Sequence, residues 1–212
     1  MLYLKSFTFN PFQENTYVVY DDDSTAFIFD PGNSNPGEDA ELKKFIEDKK
    51  LNLKRLLLTH GHVDHVMGNR FIYNSYGLLP EVHKDDLFFV ERMAQSASMY
   101  GVSCEQSPLP EKYLEDGQKI SLGNYLFECI HTPGHSPGSI SFYCPESKLL
   151  IGGDVLFNGS IGRSDLPMGN HETLIHSIKE RLMVLGGDIK VYSGHGPATT
   201  TGFESENNPF LT

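Results

Sequence analysis

The sequence predicts an α/β domain made of two similar halves packed as one compact unit. Three observations point there. Apolar segments with strand character alternate with helical segments in two blocks, near 1–100 and 110–212. No Gly/Ser-rich linker separates the blocks. The 212 residues suffice for one substantial core or two closely joined halves.

The elements follow in order. YLKSFTF, NTYVVYD and TAFIFD alternate or run apolar and read as strands. Asp21, Asp22, Asp23 and Ser24 separate the second from the third as a hairpin turn would. Asp30-Pro31-Gly32 ends the third strand. Glu38 to Lys50 reads as a helix with Leu42, Phe45 and Ile46 on one face. Leu53 to Leu58 is a strand, Gly68 to Tyr76 a short helix, and Lys84 to Tyr100 a longer one. Ser103 to Gln118 reads as a polar, proline-containing loop. QKISL, YLFECIHT, SISFYC and KLLIGGD are strands again. His171 to Leu185 is helical, with Leu174, Ile178, Leu182 and Leu185 on one stripe, and IKVYSG is the last strand.

Composition narrows the function. A formal net charge of −11 disfavours nonspecific nucleic-acid binding, which needs clustered Lys and Arg. No apolar run approaches the roughly 18 residues that span a bilayer, so no membrane association is expected. MLYLKSFTFNPFQ has no long apolar stretch of the secretory kind. Cys104, Cys129 and Cys144 form no CxxC pair, which argues against a disulfide framework or a thiolate metal site. The expected compartment is a reducing cytoplasm.

The chemistry is concentrated at four strand ends. LLLTHGHVDHVMGN sets His60, His62, Asp64 and His65 directly after a leucine run. TPGHSPGS places His135 in a Gly/Pro turn between two strands. KLLIGGDVLF ends an apolar run at Asp154, and KVYSGHGPAT ends another at His195. The last three share a pattern: a short apolar strand or a turn beside one, a glycine, then a lone His or Asp. Such ends at one sheet edge can converge, and glycine lets the backbone turn beside a ligand. Five imidazoles and two carboxylates without a thiolate suit zinc, iron or manganese. Seven donors exceed one tetrahedral ion and match two ions sharing a carboxylate. A lone buried His or Asp is usually a satisfied core group, but this many at one strand end need a cation to offset their desolvation.

These residues resemble the metallo-β-lactamase superfamily: HGHVDH has the form of its HxHxDH signature, and His135, Asp154 and His195 follow in its order. The likeness runs from Asn15 and DPG at 30–32 to SGHGP at 193–197. It implies a four-layer αββα sandwich, the metallo-β-lactamase fold, with metals at one edge. It also implies that His60, His62 and His135 hold one divalent ion, and Asp64, His65 and His195 a second, with Asp154 bridging. Within the superfamily the chain looks most like short glyoxalase II-type hydrolases. That likeness implies attack of a metal-bridging hydroxide on a small-molecule thioester, a glutathione-linked one among the candidates, with Asp64 and Asp154 in catalysis. GGDVLFNGSIGRSDLPMGN resembles both these hydrolases and the persulfide dioxygenases, so a mononuclear iron dioxygenase is the alternative, and a binding module with a degenerate site a third reading. Arg163 is the expected anion contact for substrate, against a salt bridge to Asp165. Ser164-Asp165-Leu166-Pro167 replaces the aromatic segment of glyoxalase II. The C-terminal helical domain that completes its glutathione site is not found. His83 is expected at a helix start or the surface, and His131 at a solvent-facing strand end. Tyr100 and the loop from Gly101 to Lys112 are candidates for a substrate wall.

Overall fold

The computed structural model describes residues 1–212. A first sheet takes β1 (Leu2–Phe9), β2 (Glu14–Asp21), β3 (Thr25–Phe29), β4 (Asn52–Leu57), β5 (Pro80–His83) and β6 (Lys112–Leu114), side by side in that order. Its first three strands are antiparallel neighbours; β3 to β6 run parallel. The parallel crossovers carry α1 (Pro36–Asp48), α2 (Val63–Val66), α3 (Asn69–Tyr76), α4 (Leu87–Glu91) and α5 (Met93–Met99).

A second sheet has β7 (Lys119–Leu122), β8 (Tyr125–His131), β9 (Ile140–Cys144), β10 (Leu149–Gly153), β13 (Lys190–Ser193) and β14 (Thr199–Thr200), adjacent in that order. Its one parallel pairing, β10 with β13, is crossed by α6 (His171–Ser177). A small ribbon of β11 (Leu156–Phe157) and β12 (Ser160–Ile161) leaves β10, and α7 (Thr201–Asn207) closes the described chain.

Period-two alternation explains the layers. In β3, Phe27 and Phe29 enter the core between the sheets, while Ala26 and Ile28 face the helices. In β10, Ile151 points between the sheets and Leu150 outward under α6. Phe127 and Phe142 answer Phe27 and Phe29 from the second sheet, with Phe29 and Phe142 ring centroids 5.0 Å apart. Truncating one such buried ring to alanine costs about 3–5 kcal/mol. Leu42, Ile46, Ile72, Val90 and Met93 cover the outer face of the first sheet. Leu174, Ile178 and Leu182 cover that of the second. The architecture is the four-layer αββα sandwich of the metallo-β-lactamase fold.

Some elements differ from the sequence reading. The helix expected over 84–100 is a single 3-10 turn, then α4 and α5 with a break at Arg92 (φ −108°, ψ 11°). No proline or glycine marks the break. The helix expected over 171–185 is α-helical only to Ser177, then widens to a π-turn over Ile178–Leu182 and tightens to 3-10 over Met183–Leu185. β6 lies within the expected loop, and β5 and α7 are too short for periodicity to reveal. The three cysteines are free, two of them buried. No helix is long and apolar enough to cross a membrane.

Candidate metal centre

His60 follows β4, His135 lies in the β8–β9 turn, Asp154 follows β10 and His195 follows β13. These strand ends share one edge of the sandwich. In the HxHxDH segment the chain leaves β4 extended through His62 (φ −65°, ψ 152°), then turns into α2. That turn separates the two histidines at 60 and 62 from Asp64 and His65.

Two clusters result. His60, His62 and His135 form the first, with His62 Nδ1 2.8 Å and His60 Nε2 3.2 Å from His135 Nε2. Asp64, His65 and His195 form the second, with Asp64 Oδ2 3.2 Å from His195 Nε2 and 3.7 Å from His65 Nε2. Asp154 lies between them: Oδ2 is 3.6 Å from His135 Nε2 and 3.5 Å from His195 Nε2, and Oδ1 is 3.4 Å from His65 Nε2. All seven sequence-selected donors thus meet at one edge.

The inward atoms fit divalent cations. His65 Nε2 and Asp154 Oδ1 are buried, lack a hydrogen-bond partner, and face each other. Donors held about 2.0–2.2 Å from one ion stand roughly 3.3–3.6 Å apart at a tetrahedral angle, close to most of these separations.

The outer nitrogens are committed elsewhere. His135 Nδ1 lies 2.7 Å from the Arg163 carbonyl and His195 Nδ1 3.2 Å from the Gln13 carbonyl, so each donates outward. His65 Nδ1 donates to Asp30 Oδ2 at 3.1 Å. His60 Nδ1 meets Thr59 Oγ1 at 3.0 Å, and that hydroxyl itself donates to Asp30 Oδ2. In four of the five rings the inward nitrogen therefore carries the lone pair a cation needs. The fifth, His62, is braced by the Phe89 ring 4.8 Å away. Asp30 is near enough to His60 and His65 to be taken for a ligand. Its oxygens are occupied by the Thr59 N–H and O–H and by His65, so it orients ligands instead.

The electrostatics follow burial. Burial pushes His62 down to about 3, helped by the His135 ring. Burial and the neighbouring histidines, His65 foremost, push His60 well below its usual value. Burial also works against charge on His65, but the Asp154 and Asp64 carboxylates win and hold it well above. Burial pushes the Asp154 carboxyl up, yet His65, His135 and His195 hold it below the carboxylate range.

Several residues that hold the site were given no role by the sequence. Buried Asp86 accepts from the Gly61 N–H, the Gly138 N–H and the Ser136 hydroxyl, tying the HxHxDH loop to the His135 loop. Asn15 donates to the Ser193 and Gly196 carbonyls on either side of His195, and Tyr17 also donates to Ser193. Asn10 donates to the Asp64 carbonyl at 2.9 Å. Gly194 has no room for a side chain: a Cβ there would meet Asp154 Oδ1 and His65 Cε1. The DPG run was a legible signal for Asp30; Asp86 had none.

Other expectations fall differently. His83 ends β5 and caps the 3-10 turn that follows, its Nδ1 accepting the Asp85 N–H at 3.3 Å, so it does stand at a helix start; it is buried, not at the surface, because PEVH is a strand. It stacks on His131, centroids 4.4 Å apart, and His131 Nε2 meets the Pro137 carbonyl at 2.9 Å. A cavity of about 720 Å³ opens over the clusters. Arg163 and Tyr100 line it, whereas the loop after Tyr100 does not reach it. The Arg163 guanidinium engages Asp165 through two bonds of 2.8 Å.

This αββα sandwich with its two donor clusters defines a class of protein, and the chain belongs to it: the family model for the metallo-beta-lactamase superfamily matches residues 9–195. Within that class it is similar to hydroxyacylglutathione hydrolase GloC of Haemophilus influenzae, 42% identical over 202 residues, covering 94% of this chain and 93% of the relative. The crystal structure of BLEG-1 B3 metallo-beta-lactamase superposes with a TM-score of 0.91 at 36% identity, covering 99% of this chain and 100% of that one. TTHA1623, solved in a di-iron-bound form, superposes with a TM-score of 0.88 at 37% identity, covering 98% and 100%.

Proposed function

We propose that the protein is a glyoxalase II-like thioesterase that uses two divalent ions, zinc first among them, to hydrolyse a hydroxyacyl thioester, with a glutathione-linked carrier a candidate. The observation that carries the two-ion reading is the Asp154 carboxylate, within 3.6 Å of His135 in one cluster and of both histidines in the other. A mononuclear iron dioxygenase would use only a subset matching His60, His135 and Asp154 while keeping the other motif residues, so the full donor set does not exclude it. Likeness to GloC supports the choice of a thioester.

His60, His62 and His135 would hold one ion, Asp64, His65 and His195 the other, and Asp154 both. Bound there, the ions supply Lewis acidity and bring water toward neutral pKa. The chain's own residues do the rest. Asp64 Oδ2, beside His195 Nε2, would serve the second ion, and the same carboxylate lines the cavity, where its remaining capacity can orient the attacking water. Phe89, against His62, walls the reacting centre from bulk water. Arg163 stands on the cavity rim, where its carbonyl orients His135.

The test is metal content in protein purified without added metal, with turnover of S-lactoyl-glutathione, a β-lactam and a persulfide. Two ions per chain and thioester turnover are expected. One iron with oxygen uptake on the persulfide would replace the hydrolase reading, and β-lactam turnover alone would redirect it.

A further inference from the structure

The cavity over the two clusters is lined by two arginines in opposite situations. Both are exposed, but Arg163 is satisfied: its planar fork closes on Asp165. Arg92 has no carboxylate within ion-pair distance and no side-chain hydrogen bond; its guanidinium carbon lies 4.3 Å over the Phe88 ring. Stacking uses the face of a guanidinium and leaves its in-plane N–H donors free. Arg92 is therefore a cation at the cavity wall with its carboxylate-binding edge unspent.

Its backbone is held in place. The break between α4 and α5 falls on Arg92, whose N–H donates to the Phe89 carbonyl and whose carbonyl accepts from Ser96. The next residue, Met93, is fully buried in the core under the helices. A series of contacts joins the cation to the metal centre: His62 on Phe89 at 4.8 Å, Phe89 beside Phe88 at 5.6 Å, and Phe88 under Arg92. One turn of helix thus sets a strip of aromatic surface between the donor clusters and an unpaired cation. Phe88 is 42% exposed and lines the cavity, so its ring offers apolar surface to whatever enters there. The chain carries a net charge of −11, so an anionic substrate needs a local cation to be drawn in.

We propose that Arg92 determines substrate choice: it pairs with a carboxylate on the thioester, set off from the reacting carbonyl by an apolar stretch that lies along Phe89 and Phe88. This rests on the thioesterase reading. The substrate class is an acyl thioester with a carboxylate at the end of an apolar arm, on either the thiol or the acyl side. Arg163, closed on Asp165, shapes the opposite rim and does not read the anion.

The test uses matched pairs on the metal-loaded protein. One pair is the acetyl thioesters of 6-mercaptohexanoate and 6-mercaptohexanamide, with the carboxylate or its neutral isostere on the thiol side. The other carries the same two end groups on the acyl side. Arg92→Ala should raise KM for the carboxylate member of one pair about ten- to a hundred-fold, at about 1.4 kcal/mol per decade. Its kcat should stay near the parent's, and the neutral member should be unaffected. Whichever pair responds identifies the arm that carries the anion. Arg92→Lys should restore part of the preference, because a point charge lacks the bidentate fork. Arg163→Ala should keep it. Equal losses on carboxylate and amide, or a preference that disappears in Arg163→Ala instead, overturns the proposal. Binding of the corresponding non-hydrolysable thioethers, by calorimetry, reads the same preference without turnover. If the parent hydrolyses no thioester yet Arg92→Ala abolishes a carboxylate preference in binding, the thioesterase reading falls and Arg92 keeps its role. If thioesters turn over but the parent thioethers bind without carboxylate preference, the Arg92 assignment falls alone.

Discussion

The Asp86 carboxylate accepts the Gly61 N–H at 2.7 Å, and Gly61 is the residue between His60 and His62. Its other oxygen accepts from Gly138 at 2.6 Å, three residues beyond His135. One buried side chain thus sets two loops, from different sheets, that together make the first donor cluster.

Removing Asp86 should loosen that cluster. Asp86→Ala leaves the Gly61 and Gly138 N–H groups buried without acceptors, at about 1–3 kcal/mol each. Asp86→Asn is milder, because one oxygen survives. Affinity for the first ion should fall about 10- to 100-fold in Asp86→Asn. Competition against a chromophoric chelator measures it, and an unchanged affinity would show that the loops hold themselves.

Asp154→Asn keeps the side chain's size and removes a charge placed to serve both clusters. Metal content should drop below that of the parent for both ions, and thioester turnover by orders of magnitude. Elemental analysis beside steady-state rates decides this; full content with parental rates would remove Asp154 from the centre.

Asn15 spans the turn that carries His195, donating to Ser193 at 3.1 Å and Gly196 at 2.8 Å. Asn15→Ala should cost about 1–3 kcal/mol of stability. It should weaken only the second ion, so that titration becomes biphasic. A variant that loses both ions together would mean the turn braces the whole edge.

His62 gives a pH signature in the metal-free chain. Its folded pKa is pushed to about 3 by burial and then by the His135 ring. Between the unfolded value near pH 6.5 and pH 3 the unfolded state binds a proton that folded His62 refuses, so its contribution becomes more unfavourable as pH falls. Glu14 and Asp86, raised by burial, slope the other way. The comparison is therefore between parent and His62→Gln after chelation. The variant should gain stability relative to the parent as pH falls from 6.5 toward 4, read by urea unfolding. A difference that does not move with pH would place His62 outside the buried cluster.

Gly194→Ala tests the close approach behind the second cluster. The added methyl meets Asp154 Oδ1 and His65 Cε1. Overpacking of this kind costs about 1–3 kcal/mol. Metal loss with a cooperative thermal transition is the expected result; parental metal content would show that the turn yields.

By itself the sequence determined the donor chemistry and its neighbourhoods. HGHVDH, TPGH, GGD and SGHG each place an ionisable group at an apolar strand end or in a turn beside one, and such groups cannot be left there uncompensated. Long periodic elements such as α1 and β2 were legible because their apolar positions repeat. The broken helix at Arg92 and the four-residue strand ending at His83 were not, since neither carries a local signal and both depend on what packs beneath them. Only the tertiary structure decided which groups face the centre and which stand behind it. Asp30, Asp86 and Asn15 lie 29, 25 and 178 residues from partners they hold, distances that periodicity and motif spacing cannot bridge. The two arginines make the same point. Arg163 stood beside a metal-ligand motif in sequence, but a local ion pair occupies its guanidinium. Arg92 had no motif around it, and the fold brings it, stacked and unpaired, to the wall of the cavity over the donor clusters.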